Sequence, residues 1–157
     1  MEKMLTAVCH ECNNYFRRAS IRKTFAVEEG ALVGLPEGFL QEGQFFLVEG
    51  SVFNDGVHQY LATGMNLRDE QDFSGNVTAL AIPQEFQALV AEISDWEDKY
   101  GGADSAALSP FSSESFGGYS YSKSSGGSSS DGSADGANWK SVFASSLNRW
   151  RRVRGIL

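Results

Sequence analysis

The sequence predicts an α+β fold: a small, mostly helical core of three to four helices with an inserted antiparallel β element, a long extended Ser/Gly-rich arm and a C-terminal helix. Three observations support this prediction. Apolar residues recur at helical spacing in three separate stretches. Short β-type runs broken by glycines lie between the first two stretches. Residues 101–136, between the last two, are dominated by Gly, Ser, Ala and Asp.

The 157-residue chain is long enough for one modest core. We expect a core domain over residues 1–102, with the β insertion at 23–82 and a helix at 83–100. An extended arm and flexible linker would follow at 103–136, and an amphipathic basic helix at 137–157. No apolar run approaches the ~20 residues that cross a bilayer, and the first residues do not resemble a signal peptide. We therefore expect a cytoplasmic protein with no membrane partner.

The first helix is predicted over residues 3–18, because apolar residues from Leu5 to Phe16 recur at helical spacing. Arg17 and Arg18 would then lie in its last turn, near the negative end of the helix dipole.

The same helix carries a C-x-x-C pair, Cys9 and Cys12, which is compatible with half a zinc site or with a redox pair. A structural zinc site needs four ligands, but there is no second cysteine pair and the only histidine besides His10 is His58. We expect two reduced, partly buried thiols, and neither a metal nor another cofactor.

A small, mostly antiparallel sheet is predicted for the region that follows. Its runs TFAVEEGALVGL and GQFFLVEGSVFNDGVHQY are punctuated by glycines. The segment from Asn54 to Gly56 is the strongest hairpin signal, because Asn, Asp and Gly tolerate the positive φ of tight turns. A further short element, NVTALAI, leads to Pro83.

The second helix should begin at Pro83 and end at the YGG of residues 100–102. Its apolar positions have helical spacing: Phe86, Leu89, Val90, Ile93 and Trp96. Its other face is acidic and includes Glu85, Glu92, Asp95 and Asp98.

The arm carries four aromatic residues within a Ser/Gly-rich background. Phe111, Phe116, Tyr119 and Tyr121 bring more apolar surface than a solvated tether needs. We expect this ribbon to lie on another copy of the chain. In the C-terminal stretch Asn138 can cap a helix, whose apolar stripe is formed by Trp139, Val142, Phe143, Leu147, Trp150 and Val153.

Charge is segregated along the chain, whose net charge is −7. Residues 1–23 sum to +3, residues 24–116 to −14 and residues 137–157 to +5. Basic ends and an acidic middle favour either binding of a polyanion or pairing between the ends of one copy and the middle of another.

The sequence contains no catalytic or nucleotide-binding motif of the common kinds, and we expect no enzyme. His58 beside the predicted turn is better explained as a hairpin residue than as a general base. The RWRRVR segment leaves open a small DNA-binding or packaging accessory protein that would use the C-terminal arginine-rich helix. Docking of that helix on an acidic protein surface is the alternative that we favour.

The order of these motifs resembles the head–tail connector, or adaptor, proteins of long-tailed bacteriophages and Gram-positive prophages. The resemblance covers residues 5–154, and its most specific parts are GQFFLVEGSVFNDGVHQY and SESFGGYSYSK. It implies a virion protein of the neck that forms a ring, typically of about twelve copies, beneath the capsid portal. The ring would join the portal to a stopper or tail completion protein and extend the channel through which double-stranded DNA passes without sequence-specific binding.

The resemblance suggests roles for three sets of residues. An arm that contacts the neighbouring subunit would comprise Phe111, Glu114, Ser115, Phe116, Tyr119 and Tyr121. A helix that docks on the portal would comprise Trp139, Phe143, Leu147, Arg149, Trp150, Arg151 and Arg152. Acids that either line the channel or face solvent would be Glu85, Glu92, Asp95 and Asp98. The expected locations are the virion neck and, during assembly, the host cytoplasm.

Overall fold

The structure is a computed structural model, and it describes residues 1–101, 113–116, 119–122 and 138–153. Its elements in chain order are α1 (Glu2–Glu11), β1 (Arg17–Glu28), β2 (Ala31–Val33), β3 (Phe45–Glu49), β4 (Gly56–Gln59), β5 (Glu70–Leu80), α2 (Gln84–Tyr100), β6 (Ser113–Phe116), β7 (Tyr119–Ser122), α3 (Trp139–Val142) and α4 (Ala144–Asn148). No helix in these ranges is both long enough and apolar enough to cross a bilayer.

A curled, five-stranded antiparallel sheet with the shape of a half-barrel dominates the fold. Its strand order is β2-β1-β5-β3-β4, and the long central pair β1 and β5 runs from Arg17 opposite Leu80 to Val27 opposite Glu70. Among the described residues, only two of the four helices, α1 and α2, have seven residues or more, whereas the sheet has five strands. The prediction of a mostly helical core was therefore wrong.

The first predicted helix was too long, and this error hid the longest strand. Helix α1 ends at Glu11, and positive φ angles at Asn13 (49°) and Phe16 (53°) turn the chain away from the helix axis. Arg17 and Arg18 therefore open β1 instead of closing α1. Most of this strand's first half is exposed, so it lacks the apolar alternation by which a strand is usually recognised.

The two faces of the sheet bury separate apolar clusters. One cluster lies between the sheet and the helices and includes Leu5, Leu47, Leu80, Phe86 and Trp96. The other lies on the opposite face, where Phe46, Phe73 and Val77 pack with Leu40 and Met65 of the loops. On this side, loop residues complete the core, and none of the described helices contributes to the cluster.

Helix α2 confirms its prediction, since it begins one residue after Pro83 and buries all five predicted apolar positions. The antiparallel pairing of β3 with β4 confirms the hairpin around residues 54–56. The cap at Asn138 is also confirmed, because its side chain accepts a hydrogen bond from the Ser141 backbone N–H. A single helix over 137–157 is not found, because α4 already ends at Asn148.

The C-terminal segment packs against its own chain. Phe143 and Leu147 are fully buried in the cluster beneath the helices. The ring of Trp150 makes edge contacts with the rings of Phe16 and Phe86, at centroid distances of 5.8 and 5.4 Å. Trp139 is half-buried beside the same cluster. This corrects the expectation that these side chains wait for burial on a portal subunit, because the chain's own core supplies their burial site.

Candidate interaction surface

The loop over residues 51–55, which joins β3 to β4, is built around one buried carboxylate. Glu70, at the start of β5, accepts hydrogen bonds from the Ser51 hydroxyl, from the Val52 backbone N–H at 2.9 Å and from the Asn54 amide at 3.2 Å. Ser51, Asn54 and Glu70 are all buried. The carboxylate therefore satisfies polar groups that would otherwise be costly to bury.

Asn54 and the neighbouring Gly50 also tie the loop to the body of the protein. The Asn54 amide donates to the Arg68 carbonyl and its side-chain oxygen accepts from the Arg68 N–H, at 2.9 and 2.8 Å. Gly50, with φ of 99°, begins the loop where a Cβ atom would lie 2.9 Å from the Ser74 carbonyl oxygen. Only glycine fits that conformation and that space.

The hydrogen bonds to Glu70 also set its charge state. Burial alone would raise the pKa of this carboxyl, but the donors from Ser51, Val52 and Asn54 outweigh it and hold the pKa below its usual value. Glu70 is therefore ionised at neutral pH, and its negative charge holds the donors of the loop in place.

This fixed loop holds two apolar side chains in water. Val52 is 80% exposed and Phe53 is 50% exposed. The guanidinium of Arg68, itself exposed, lies 4.0 Å from the centre of the Phe53 ring. Val52 and Phe53, on a loop fixed by hydrogen bonds, thus form one patch with the Arg68 side chain from the segment before β5.

His58 is accounted for by the same hairpin. Its Nε2 lies 2.7 Å from the Asn54 carbonyl oxygen, and its Nδ1 lies 4.0 Å from Glu2. These contacts place it as a structural residue of the turn, as the sequence suggested.

The acidic face of α2 is exposed at all four predicted positions, Glu85, Glu92, Asp95 and Asp98. Among these four acids, Glu85 forms an ion pair with Arg149 at 2.9 Å within the described residues. The remaining acids form a negative surface away from the sheet.

The C-terminal cations are partly engaged within the chain. Lys140 and Arg151 both pair with Glu11, at 3.1 and 2.7 Å. The hydrogen bond from Lys140 is the largest of the effects that lower the pKa of Glu11. Arg152 has an exposed side chain, and its backbone N–H donates to the Cys12 carbonyl. The acidic surface on which this segment docks thus belongs, at least in part, to its own chain.

The arm forms a short hairpin where the sequence suggested a single extended ribbon. Strands β6 and β7 pair antiparallel, with Ser113 opposite Ser122 and Phe116 opposite Tyr119. They make a two-stranded sheet of their own, and β7 passes beside α3. Glu114, Ser115 and Tyr121 lie within these strands, whereas Phe111 and most of the linker at 103–136 lie outside the described residues.

Cys9 and Cys12 are buried free thiols. Burial, followed by the proximity of Cys12, raises the pKa of Cys9 to about 12, and burial raises that of Cys12 to about 11. Thiols with such pKa values are protonated at neutral pH and react poorly. Across the described ranges, no three His, Cys, Asp or Glu side chains come together as a metal site would require.

Comparisons with models of protein families, with curated proteins and with solved structures found no match.

Proposed function

We propose that this chain is a structural virion protein of a bacteriophage neck, where it acts without catalysis as an adaptor ring between the capsid portal and the stopper or tail. The ring would hold about twelve copies of the chain and extend the DNA channel. The proposal is based first on the family resemblance of the sequence. The geometry of the 51–55 loop is the structural observation that supports it best.

The most specific segment of that resemblance, GQFFLVEGSVFNDGVHQY, corresponds to β3, the 51–55 loop and β4. The loop uses a buried, ionised glutamate to hold Val52 and Phe53 in water. Single exposed apolar residues are common, but here buried and partly buried hydrogen bonds fix their position. A preorganised patch of aliphatic, aromatic and arginine side chains matches the composition of protein–protein contact sites. It supports a binding role better than a catalytic one.

The charge distribution supports assembly of identical subunits. Arg18, Arg22 and Lys23 are exposed along β1, and Glu92 and Asp95 are exposed on α2. A ring is built from a heterologous interface, in which one surface meets a different surface of the next copy. Exposed patches of opposite sign suit such an interface, and they orient the encounter of two copies.

The set of residues that could contact the portal is smaller than the sequence predicted. Phe143 and Leu147 cannot dock on another protein while they fill this chain's core. We therefore leave those two residues out of the portal site. The exposed side chain of Arg152 remains accessible for such a contact, whereas Arg149 would first have to leave its ion pair with Glu85.

The DNA-binding alternative has less support. Arg149 and Arg151 pair with glutamates of the same chain, so each would have to exchange a carboxylate for a phosphate. A gel shift at physiological salt tests the alternative directly. Salt-sensitive binding at micromolar protein would favour it over the neck function.

The neck function is tested by complementation of a phage in which the gene for this chain carries an early stop codon. We expect electron micrographs of the uncomplemented phage to show heads and tails that do not join. Complementation by the Val52→Ser/Phe53→Ser double variant should fail although the variant protein remains folded. A Leu61→Ser variant, which changes another exposed apolar residue of a loop, is the control and should restore tailed particles. Tailed, infectious particles without the chain would refute the proposal.

A further inference from the structure

The two edges of the five-stranded sheet differ in a way that points to a binding site for a strand. At the β4 edge, the Thr6 hydroxyl accepts a hydrogen bond from the Val57 N–H at 3.0 Å, and the Glu2 carboxylate accepts one from the Gln59 N–H at 2.9 Å. Helix α1 therefore closes this edge, because its side chains occupy donors that another strand would need.

The β1 edge is open. On one side β1 pairs with β5 along almost its whole length, but on the other it pairs with β2 only from Ala26 to Glu28. Within the part of the chain that the structure describes, no strand pairs with the outer side of β1 from Arg17 to Lys23. These seven residues leave backbone donors and acceptors available on a strand that is already held in the sheet.

The side chains along this edge restrict what can pair with it. Arg18, Arg22 and Lys23 are exposed there, so an uncharged apolar strand is disfavoured and a basic one is repelled. An extended segment that contains an acidic residue and no basic residue would fit best.

The hairpin β6–β7 has these properties. Its strands, SESF and YSYS, contain one acidic residue, Glu114, and no basic residue. A four-residue strand is about 13 Å long, and seven residues of edge span about 23 Å, so either strand fits. A two-stranded hairpin is at best marginally stable alone in water and gains from joining a larger sheet.

We propose that the open edge of β1, from Arg17 to Lys23, receives a strand of the β6–β7 hairpin of a second copy of this chain. The hairpin of the same chain is not the occupant, because it forms a separate sheet and runs beside α3. The inference rests on the self-assembly in the proposed function and specifies one contact of the ring. Addition of a strand to an exposed sheet edge is a common mode of recognition.

The test uses two full-length variants with different tags, so that a mixed disulfide can form only between copies. One variant carries Ala19→Cys or Ser20→Cys on β1, and the other carries Ser115→Cys or Ser120→Cys on the hairpin. The native thiols are buried and protonated and contribute little background. Ser145→Cys, at an exposed position of α4, replaces the β1 variant in the control.

We expect at least one pair to form the mixed disulfide at about tenfold the control yield. Because neighbouring residues of a strand face opposite sides, the yields for Ala19→Cys and Ser20→Cys should differ strongly. Arg22→Glu in the β1 partner should reduce the yield, and Glu114→Lys in the hairpin partner should restore it. Control-level yields for every pair would overturn the inference. In a variant that carries both cysteines in one chain, a disulfide that forms only within that chain would also overturn the inference.

The edge pairing and the neck function can each be refuted without the other. If the chain is found in the necks of virions but no mixed disulfide forms, the edge pairing is wrong and the neck function stands. If the disulfide forms but the chain is absent from virions, the edge pairing stands and the neck function is wrong.

Discussion

The buried carboxylate of Glu70 gives the sharpest prediction about what holds the 51–55 loop. In a Glu70→Ala variant the Ser51 hydroxyl, the Val52 N–H and the Asn54 amide all lose an ionised acceptor. A hydrogen bond to a charged group contributes about 1.5–3 kcal/mol. Water entering the vacated space, close to the surface, would recover part of that loss. We expect the free energy of unfolding to fall by about 3–4 kcal/mol.

Urea denaturation monitored by tryptophan fluorescence measures this loss. With a urea dependence of about 2 kcal/mol per molar, the midpoint should fall by about 1.5–2 M. Glu37→Ala, at an exposed position, is the matched control and should change stability by less than about 0.5 kcal/mol. A Glu70→Ala midpoint equal to that of this control would refute the argument that the carboxylate organises the loop.

The pH dependence provides a second check on Glu70. Its pKa in the folded protein lies below the usual value of 4.5. The corresponding stabilisation is therefore complete above pH 4.5 and is lost as the pH falls through the folded-state pKa. The stability difference between the parent and Glu70→Ala should shrink in acid. A difference that stays constant down to pH 2 would contradict the assigned charge state.

Three further predictions concern the packing of the helices. Phe143→Ala should lower the free energy of unfolding, measured by urea denaturation, by about 3–5 kcal/mol, because this side chain fills the chain's own core. A loss under about 0.5 kcal/mol would mean that Phe143 is not packed there. Cys9 and Cys12 should react with a thiol reagent at pH 8 only after denaturation, and rapid labelling of the native protein would contradict their burial. Glu11→Gln should reduce the free energy of unfolding near neutral pH. The difference in unfolding free energy from the parent should narrow as the pH falls below about 4.5, because Glu11 of the parent is then protonated and no longer pairs with Lys140 and Arg151. A difference that does not depend on pH would argue against these ion pairs.

Features determined by nearby residues could be predicted from the sequence. Helix α2 has regular apolar spacing after a proline, and Asn138 stands immediately before a helix that it caps. The turn around Asn54 was located correctly, but for an incomplete reason. Asn54 keeps a negative φ, and it is its buried side chain that holds the hairpin together.

Features that depend on distant residues could not be predicted. Strand β1 has no apolar alternation over its exposed half, and only its pairing with β5 defines it. Nothing in the local pattern shows that Glu70 binds loop residues that lie 16 to 19 positions earlier. Within the C-terminal apolar stripe Phe143 and Leu147 are buried, whereas Val153 is exposed. The partner of this stripe, however, is a core formed by residues distant in the sequence, such as Phe16, Phe86 and Trp96, and sequence spacing cannot distinguish that core from a second protein.

The most direct test of the neck function is an image of the virion neck at side-chain resolution, from a phage that encodes this chain. We expect a ring beneath the capsid vertex into which the curled sheet fits, with Val52 and Phe53 in contact with another polypeptide. A neck built entirely from other proteins, with peptides of this chain missing from purified virions, would contradict it.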